Sequence, residues 1–253
     1  MWPTQFRRAS RVPVLSCRVA RIGAVIFDLD GTLLDTEPLL DRANASVLRS
    51  YGRDLTPALR ARLLGRTRAD TNRIVAEAAG PSVDPHEVGA ARAAMLDGRW
   101  SSAGLRPGAA RLVARLAAAG TPMAIATSST TAALEEKLRC HDAIRAAMRV
   151  IVCADHPAVQ HPKPAPDIFL VAAAELGIAP DACLVIEDAP SGVIAAKAAG
   201  MHVIAVPDPC VREDPGFAGA DQVIESLDEL DPDSWLPKQG ADGRWGNVEP
   251  QPW

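Results

Sequence analysis

The rhythm of apolar and polar positions changes twice along the chain. A short β-branched and aromatic run, Val25-Ile26-Phe27, stops at Asp28-Leu29-Asp30-Gly31. Such a run suits a central parallel strand covered on both faces, and Gly31 ends it. Over residues 37–104 the spacing turns helical. Leu39, Leu40, Ala43, Val47 and Leu48 form one face, Leu59, Leu63 and Leu64 a second, and Ile74, Val75, Ala78 and Ala79 a third. Pro57 and Asp84-Pro85 mark helix starts, and Gly80-Pro81 marks a break. From Arg106 onward helix and strand patterns alternate: helices over 109–120, 131–140, 166–177 and 191–200, and strands over 122–127, 150–153, 182–186 and 202–206.

Alternation of this kind predicts right-handed βαβ crossovers and an α/β fold with a Rossmann-like parallel sheet. Residues 22–36 and 105–231 form the expected core, and 37–104 an inserted α-helical cap set over the strand ends. The crossings near 35–38 and 104–108 are candidate hinges. The tail, 232–253, is expected to be irregular and packed on the surface, because Trp235, Trp245 and Trp253 fall there.

Composition narrows the function. The chain has 253 residues, 48% hydrophobic and 23% charged, with a net charge of −4. That is the profile of a globular protein with one sizeable core; no basic stripe suggests nucleic-acid binding and no apolar run suggests a membrane span. A monomer is expected. Cys17, Cys140, Cys153, Cys183 and Cys210 are scattered without metal spacing, and His141, His156 and His161 make no metal cluster. No acidic residue precedes Asp28, while Arg7, Arg8, Arg11, Arg18 and Arg21 all do. Residues 1–21 therefore read as a chloroplast or mitochondrial transit segment or as an extension on a cytoplasmic protein.

The polar residues at the strand ends carry the chemistry. Asp28 and Asp30 follow the first strand, Thr127 and Ser128 follow PMAIAT, Lys163 sits in HPKPAPDIF, and Glu187 and Asp188 follow ACLVI. Open α/β sheets place their sites at that edge. The acids are hard oxygen ligands suited to Mg²⁺, and Lys163 with Thr127 can hold phosphate oxygens, so the set reads as a phosphoryl site. In the cap, Arg66 lies in a glycine turn and Glu37 lies just past the crossing; both are candidate substrate contacts, as is Ser128.

DLDGT at 28–32, the strand ending in Thr127, Lys163 in HPKP and EDAPSG at 187–192 resemble, in order and spacing, the four motifs of the haloacid dehalogenase superfamily. The resemblance implies a phosphatase in which Asp28 is the nucleophile forming an aspartyl-phosphate and Asp30 the general acid and base. It implies Mg²⁺ held by Asp28, the Asp30 backbone carbonyl and Asp188, with Glu187 acting through water. Thr127 and Lys163 would orient the phosphoryl group, and Mg²⁺ with Lys163 would keep Asp28 ionised. The partner is then a small-molecule phosphate ester. Residues 159–170 and 183–201 resemble pseudouridine 5′-phosphatases and plant FMN hydrolases, so FMN is expected first and pseudouridine 5′-phosphate next. The alternatives are a sugar phosphomutase like β-phosphoglucomutase, against which Leu40 stands where that enzyme has a histidine, and a catalytically silent binding or regulatory homologue.

Overall fold

In the computed structural model, which describes residues 22–235, the first strand β1 (Ala24–Phe27) lies inside a parallel sheet. Side chains alternate across a strand, and here both faces are apolar. Val25 and Phe27 pack with Met123, Ile125, Leu184 and Ile186 on one side. Ala24 and Ile26 pack with Ala124, Ala126, Cys183 and Val185 on the other. Burial on both faces is the reason the strand reads as an unbroken apolar run rather than an alternating one.

The chain then makes a tight turn. Leu33 and Leu34 donate their N–H groups back to the Leu29 carbonyl, and Gly31 takes φ +84°. It enters β2 (Leu34–Asp35) and four helices: α1 (Glu37–Ser50), α2 (Pro57–Leu63), α3 (Arg68–Ala79) and α4 (Pro85–Leu96). Thr56, Thr67 and Asp84 cap the last three, each side chain accepting a first-turn N–H. Val47, Leu48, Leu59, Leu63, Ile74, Val75 and Val88 give these helices an apolar cluster of their own, with Leu39, Ala43, Leu96 and Ala103 forming a smaller one.

A 3₁₀ turn at Trp100–Ser102 leads to β3 (Gly104–Leu105), which runs antiparallel to β2 with Leu34 opposite Leu105 and Asp35 opposite Gly104. The outgoing and returning crossings thus form one two-stranded ribbon. Strands of two residues carry no periodicity, so this pairing leaves no mark in the sequence pattern.

The rest of the chain is α5 (Ala109–Ala118), β4 (Met123–Ala126), α6 (Thr131–Lys137), α7 (Asp142–Ala147), β5 (Val150–Val152), α8 (Asp167–Leu176), β6 (Cys183–Glu187), α9 (Pro190–Ala198), β7 (His202–Ala205) and β8 (Gln222–Val223). The sheet order is β5-β4-β1-β6-β7-β8, with every pairing parallel. Leu112, Val113 and Leu116 of α5, Leu134 of α6 and Ile144 of α7 cover one face. Phe169, Ala172 and Leu176 of α8 and Val193 and Ala196 of α9 cover the other. This is the expected α/β architecture with a parallel core sheet and a helical insertion.

Two details differ from the sequence reading. The helix expected over 131–140 stops at Lys137, where three-residue bonds from Arg139 to Glu136 and from His141 to Leu138 tighten the chain before α7. β8 adds an exposed edge strand that its sequence does not announce. Trp235 packs against the first apolar layer, its ring meeting His202 edge-on at 6.1 Å. Residues 1–21, Trp245 and Trp253 lie outside the described residues. Among the described residues no helix is long and apolar enough to cross a membrane.

Candidate active site

β1 sits between β4 and β6, so the loops after these three strands meet at one edge of the sheet. Asp28 follows β1, its N–H bonded to the Ile186 carbonyl of β6. Lys163, from the loop before α8, donates to Asp28 Oδ1 at 2.5 Å and to Glu187 Oε1 at 2.8 Å. It also donates to the Ala126 carbonyl at 3.2 Å. All three charged groups are buried, and one ammonium is shared by two carboxylates.

Their electrostatics follow from that burial. Desolvation pushes the Asp28 carboxyl up to about 7, with Glu187 and Asp30 pushing the same way and Lys163 pulling against them. Burial also works against the Lys163 ammonium, yet Asp28 and Glu187 together hold its pKa above the ordinary lysine range. Lys163 alone therefore does not hold Asp28 in its usual acidic range.

Glu187 is fixed from a second side. Its Oε2 accepts the Ala189 N–H at 2.7 Å, next to the start of α9. A Cβ on Gly192 would lie 1.6 Å from Glu187 Oε1, so the first turn of that helix has room for Glu187 only because residue 192 is glycine. Asp188 accepts a hydrogen bond from the Thr32 hydroxyl at 3.1 Å. A Cβ on Gly31 would lie 2.1 Å from Asp188 Oδ2, so the DLDGT turn and the EDAPSG turn are in contact. Burial, followed by Glu187 and Asp28, raises the Asp188 carboxyl well above the usual carboxylate range.

Asp28 and Asp188 are thus two carboxyls at one cavity, each made difficult to ionise by burial and by other acids. This donor set fits Mg²⁺, which prefers one or two carboxylates and fills its remaining positions with water and substrate oxygens. Among the described residues no three His, Cys, Asp or Glu side chains form a closed cage. Glu187, engaged by Lys163 and Ala189, sits beside that pair.

Of the remaining candidates, Asp30, Ser128, Glu37 and Arg66 line the same cavity and Thr127 does not. Ser128 is on its wall, while the fully buried Thr127 hydroxyl accepts the Ser129 N–H at 3.1 Å. Asp30 also lines the cavity, and its carboxylate is bound by a group that sequence reasoning missed: Lys137 Nζ lies 2.6 and 2.7 Å from its two oxygens.

The cavity, about 510 Å³, opens between the sheet edge and the helical insert. Glu37 and Leu40 of α1, Arg66 and Arg68 around the start of α3, and Arg92 of α4 face it from the insert. Burial, reinforced by Asp41, pushes Glu37 up to about 7. Arg66 stands 3.9 Å from Asp214 of the core, and Arg60 joins Asp41 of α1 at 2.6 Å to Asp208, beyond β7, at 3.2 Å.

Arg92 is a second residue the sequence reading missed. It is buried, donates to Asn44 Oδ1 at 2.7 Å and to Asn72 Oδ1 at 2.5 Å, and burial lowers its pKa to about 10. It shares the buried stripe of α4 with Val88 and Leu96, just as Lys137 shares that of α6 with Leu134. A cation at an apolar stripe position is the signal that would have found both.

The sequence pattern of the haloacid dehalogenase-like hydrolases matches residues 25–206. The chain is 38% identical over 217 residues to (DL)-glycerol-3-phosphatase 2 of Arabidopsis thaliana, covering 83% of this chain and 90% of that one. It is 34% identical to the bifunctional riboflavin kinase/FMN phosphatase of the same plant, covering 83% of this chain and 55% of that one. Among solved structures, CbbY from Rhodobacter sphaeroides in complex with phosphate superposes with a TM-score of 0.63 at 29% identity, over 83% of this chain and 96% of that one. With its motifs, sheet and insertion all in agreement, the chain belongs to the haloacid dehalogenase-like hydrolases and, within them, is a phosphatase.

Proposed function

We propose that the protein is a Mg²⁺-dependent phosphatase that hydrolyses the phosphomonoester of a small polyhydroxylated alcohol. The observation that carries this reading is the Asp28–Lys163–Glu187 cluster opening into a cavity whose wall, among the described residues, holds arginines, Asn44 and Thr71 beside Leu40, Leu63, Leu64, Val159 and Ile168, but no Phe, Tyr or Trp. A flavin ring calls for aromatic faces to stack on. A glycerol or hexitol phosphate needs hydrogen-bond donors and acceptors instead. The likeness to a glycerol-3-phosphatase supports the same choice. FMN, first in the sequence reading, and pseudouridine 5′-phosphate are thereby ranked below polyol phosphates.

In the proposed reaction an Asp28 carboxylate oxygen attacks phosphorus as the bond to the ester oxygen breaks. Asp30 gives that oxygen its proton, releasing the alcohol. A water then attacks the aspartyl-phosphate and passes a proton to Asp30; the bond between phosphorus and Asp28 breaks and inorganic phosphate leaves. Lys163 balances charge beside the nucleophile throughout. Asp28 and Asp188, with Glu187 nearby, would hold Mg²⁺, which when bound supplies positive charge to the phosphoryl oxygens. Arg66 and Glu37 would meet the alcohol portion from the insert.

Phosphate release with Mg²⁺ tests this over glycerol 3-phosphate, a hexitol phosphate, pseudouridine 5′-phosphate and FMN. The polyol phosphates are expected to show the highest kcat/KM. Turnover confined to FMN would overturn the choice. Isomerised sugar phosphate without free phosphate would establish the mutase instead, against the apolar Leu40 on the cavity wall.

A further inference from the structure

Lys137 is one of the most completely enclosed charged side chains in the described residues, 3% exposed, and the reaction above gives it no part. Its Nζ lies 2.6 Å from Asp30 Oδ1, 2.7 Å from Asp30 Oδ2 and 2.7 Å from Ser129 Oγ. The Ser129 hydroxyl in turn donates to Asp30 Oδ2 at 2.8 Å. The three side chains close a ring. The ammonium also lies over the Trp100 indole, whose centroid is 4.2 Å from Nζ. Trp100 is itself tied down, its backbone N–H donating to Glu136 Oε1 at 2.9 Å.

Burying a lysine is costly, and the acid it serves does not need it for solvation, because the Asp30 side chain remains 28% exposed at the cavity. Exposed acids ordinarily take water as their partner. An ammonium has three protons, and here Asp30 and Ser129 occupy the directions they point in, leaving none for a substrate. The arrangement therefore orients Asp30.

We propose that Lys137 is the positioning residue for Asp30, fixing its carboxyl through a ring closed by Ser129 and sealed by Trp100. The proposal rests on the acid–base role assigned to Asp30. Without Lys137 the carboxyl is free to rotate about its side-chain torsions, and proton transfer tolerates little misplacement. Because Trp100 belongs to the segment returning from the helical insert, the support of the general acid comes partly from outside the sheet edge.

The test is a double-mutant cycle on p-nitrophenyl phosphate and glycerol 3-phosphate with Mg²⁺, using Lys137→Met, Asp30→Asn and the pair together. Lys137→Met is expected to lower kcat roughly 100-fold with KM within about threefold. On the Asp30→Asn background it is expected to have no further effect, since a residue acting through another shows strong non-additivity. A crystal structure of Lys137→Met is expected to show the Asp30 carboxyl displaced. Equal fold losses in both backgrounds, or an undisplaced Asp30, would overturn the proposal. Should Lys137→Met fail to fold, Ser129→Ala opens the same ring without removing a charge and carries the same cycle. If Asp30→Asn alone leaves kcat unchanged, the role given to Asp30 falls, and this proposal falls with it. Failure on glycerol 3-phosphate with turnover of p-nitrophenyl phosphate instead corrects only the choice of substrate, and the cycle is still read.

Discussion

The sheet edge and the helical insert meet at one cavity but are built on different terms. At the sheet edge Asp28 and Glu187 are attached to strands buried on both faces, and Lys163, from the loop before α8, bridges the two over short distances. In the insert the apolar clusters are smaller, and the polar groups reach the cavity from the surfaces of helices. Rigid backbone supplies the sub-ångström placement that phosphoryl transfer needs. Helix surfaces can change residue by residue without moving the strands. On the proposed reaction, the contrast puts the phosphoryl chemistry at the first region and the contacts of Arg66 and Glu37 with the alcohol at the second.

The largest effect expected to follow from that division is at Asp28. Asp28→Asn removes the proposed nucleophile while keeping its shape, and phosphate release should fall by roughly 10⁴-fold or more for every substrate. A loss confined to one substrate would erase the distinction between the regions. Next is Lys163→Met, which leaves Asp28 and Glu187 facing each other in a buried site. Removing one partner of a buried ion pair costs about 3–5 kcal/mol, so the metal-free protein should unfold at distinctly lower denaturant as well as lose activity.

Arg92→Met sharpens the comparison from the other side. It removes a cation from the insert wall and leaves the Asn44 and Asn72 amide oxygens without its N–H groups. KM for polyol phosphates should rise about tenfold, the effect of a lost charge-assisted hydrogen bond, with kcat for p-nitrophenyl phosphate nearly unchanged. The smallest effect concerns pH. Burial, with Asp41 beside it, raises Glu37 from its ordinary value of 4.5 to about 7, so the folded state binds its proton more tightly than the unfolded chain does. Its contribution to stability is therefore complete at low pH and is lost as pH rises from 4.5 toward 7. Glu37→Gln should raise Tm at pH 8 by about 3 °C and leave Tm at pH 4 unchanged, which a thermal melt at the two values would check.

The sequence made the first region far more legible than the second. β1, β4, β5 and β6 are apolar runs followed by loops that hold chemistry-bearing residues, so both the strands and the four loops beyond them stand out. Lys137 and Arg92 did not, for a physical reason. Each sits in an alanine-rich helix whose apolar stripe is too sparse to single out one cation, so the signal at the stripe position is weak until its partners are known. Those partners, Asp30, Asn44 and Asn72, are distant in sequence, and only the fold brings them close. Nor did spacing reveal that the Gly31 turn and Asp188 touch.

The pairing of Asp35 with Gly104 has a consequence for how such a protein diversifies. Directly opposed residues of antiparallel strands stand only about 5 Å apart, so the insert leaves and rejoins the core through a single narrow neck. Any compact module whose own ends lie that close can be spliced onto the neck without lengthening a loop or shifting a strand. The sheet edge then behaves as a socket for the insert, with Trp100 on the returning side of the neck still needed against Lys137.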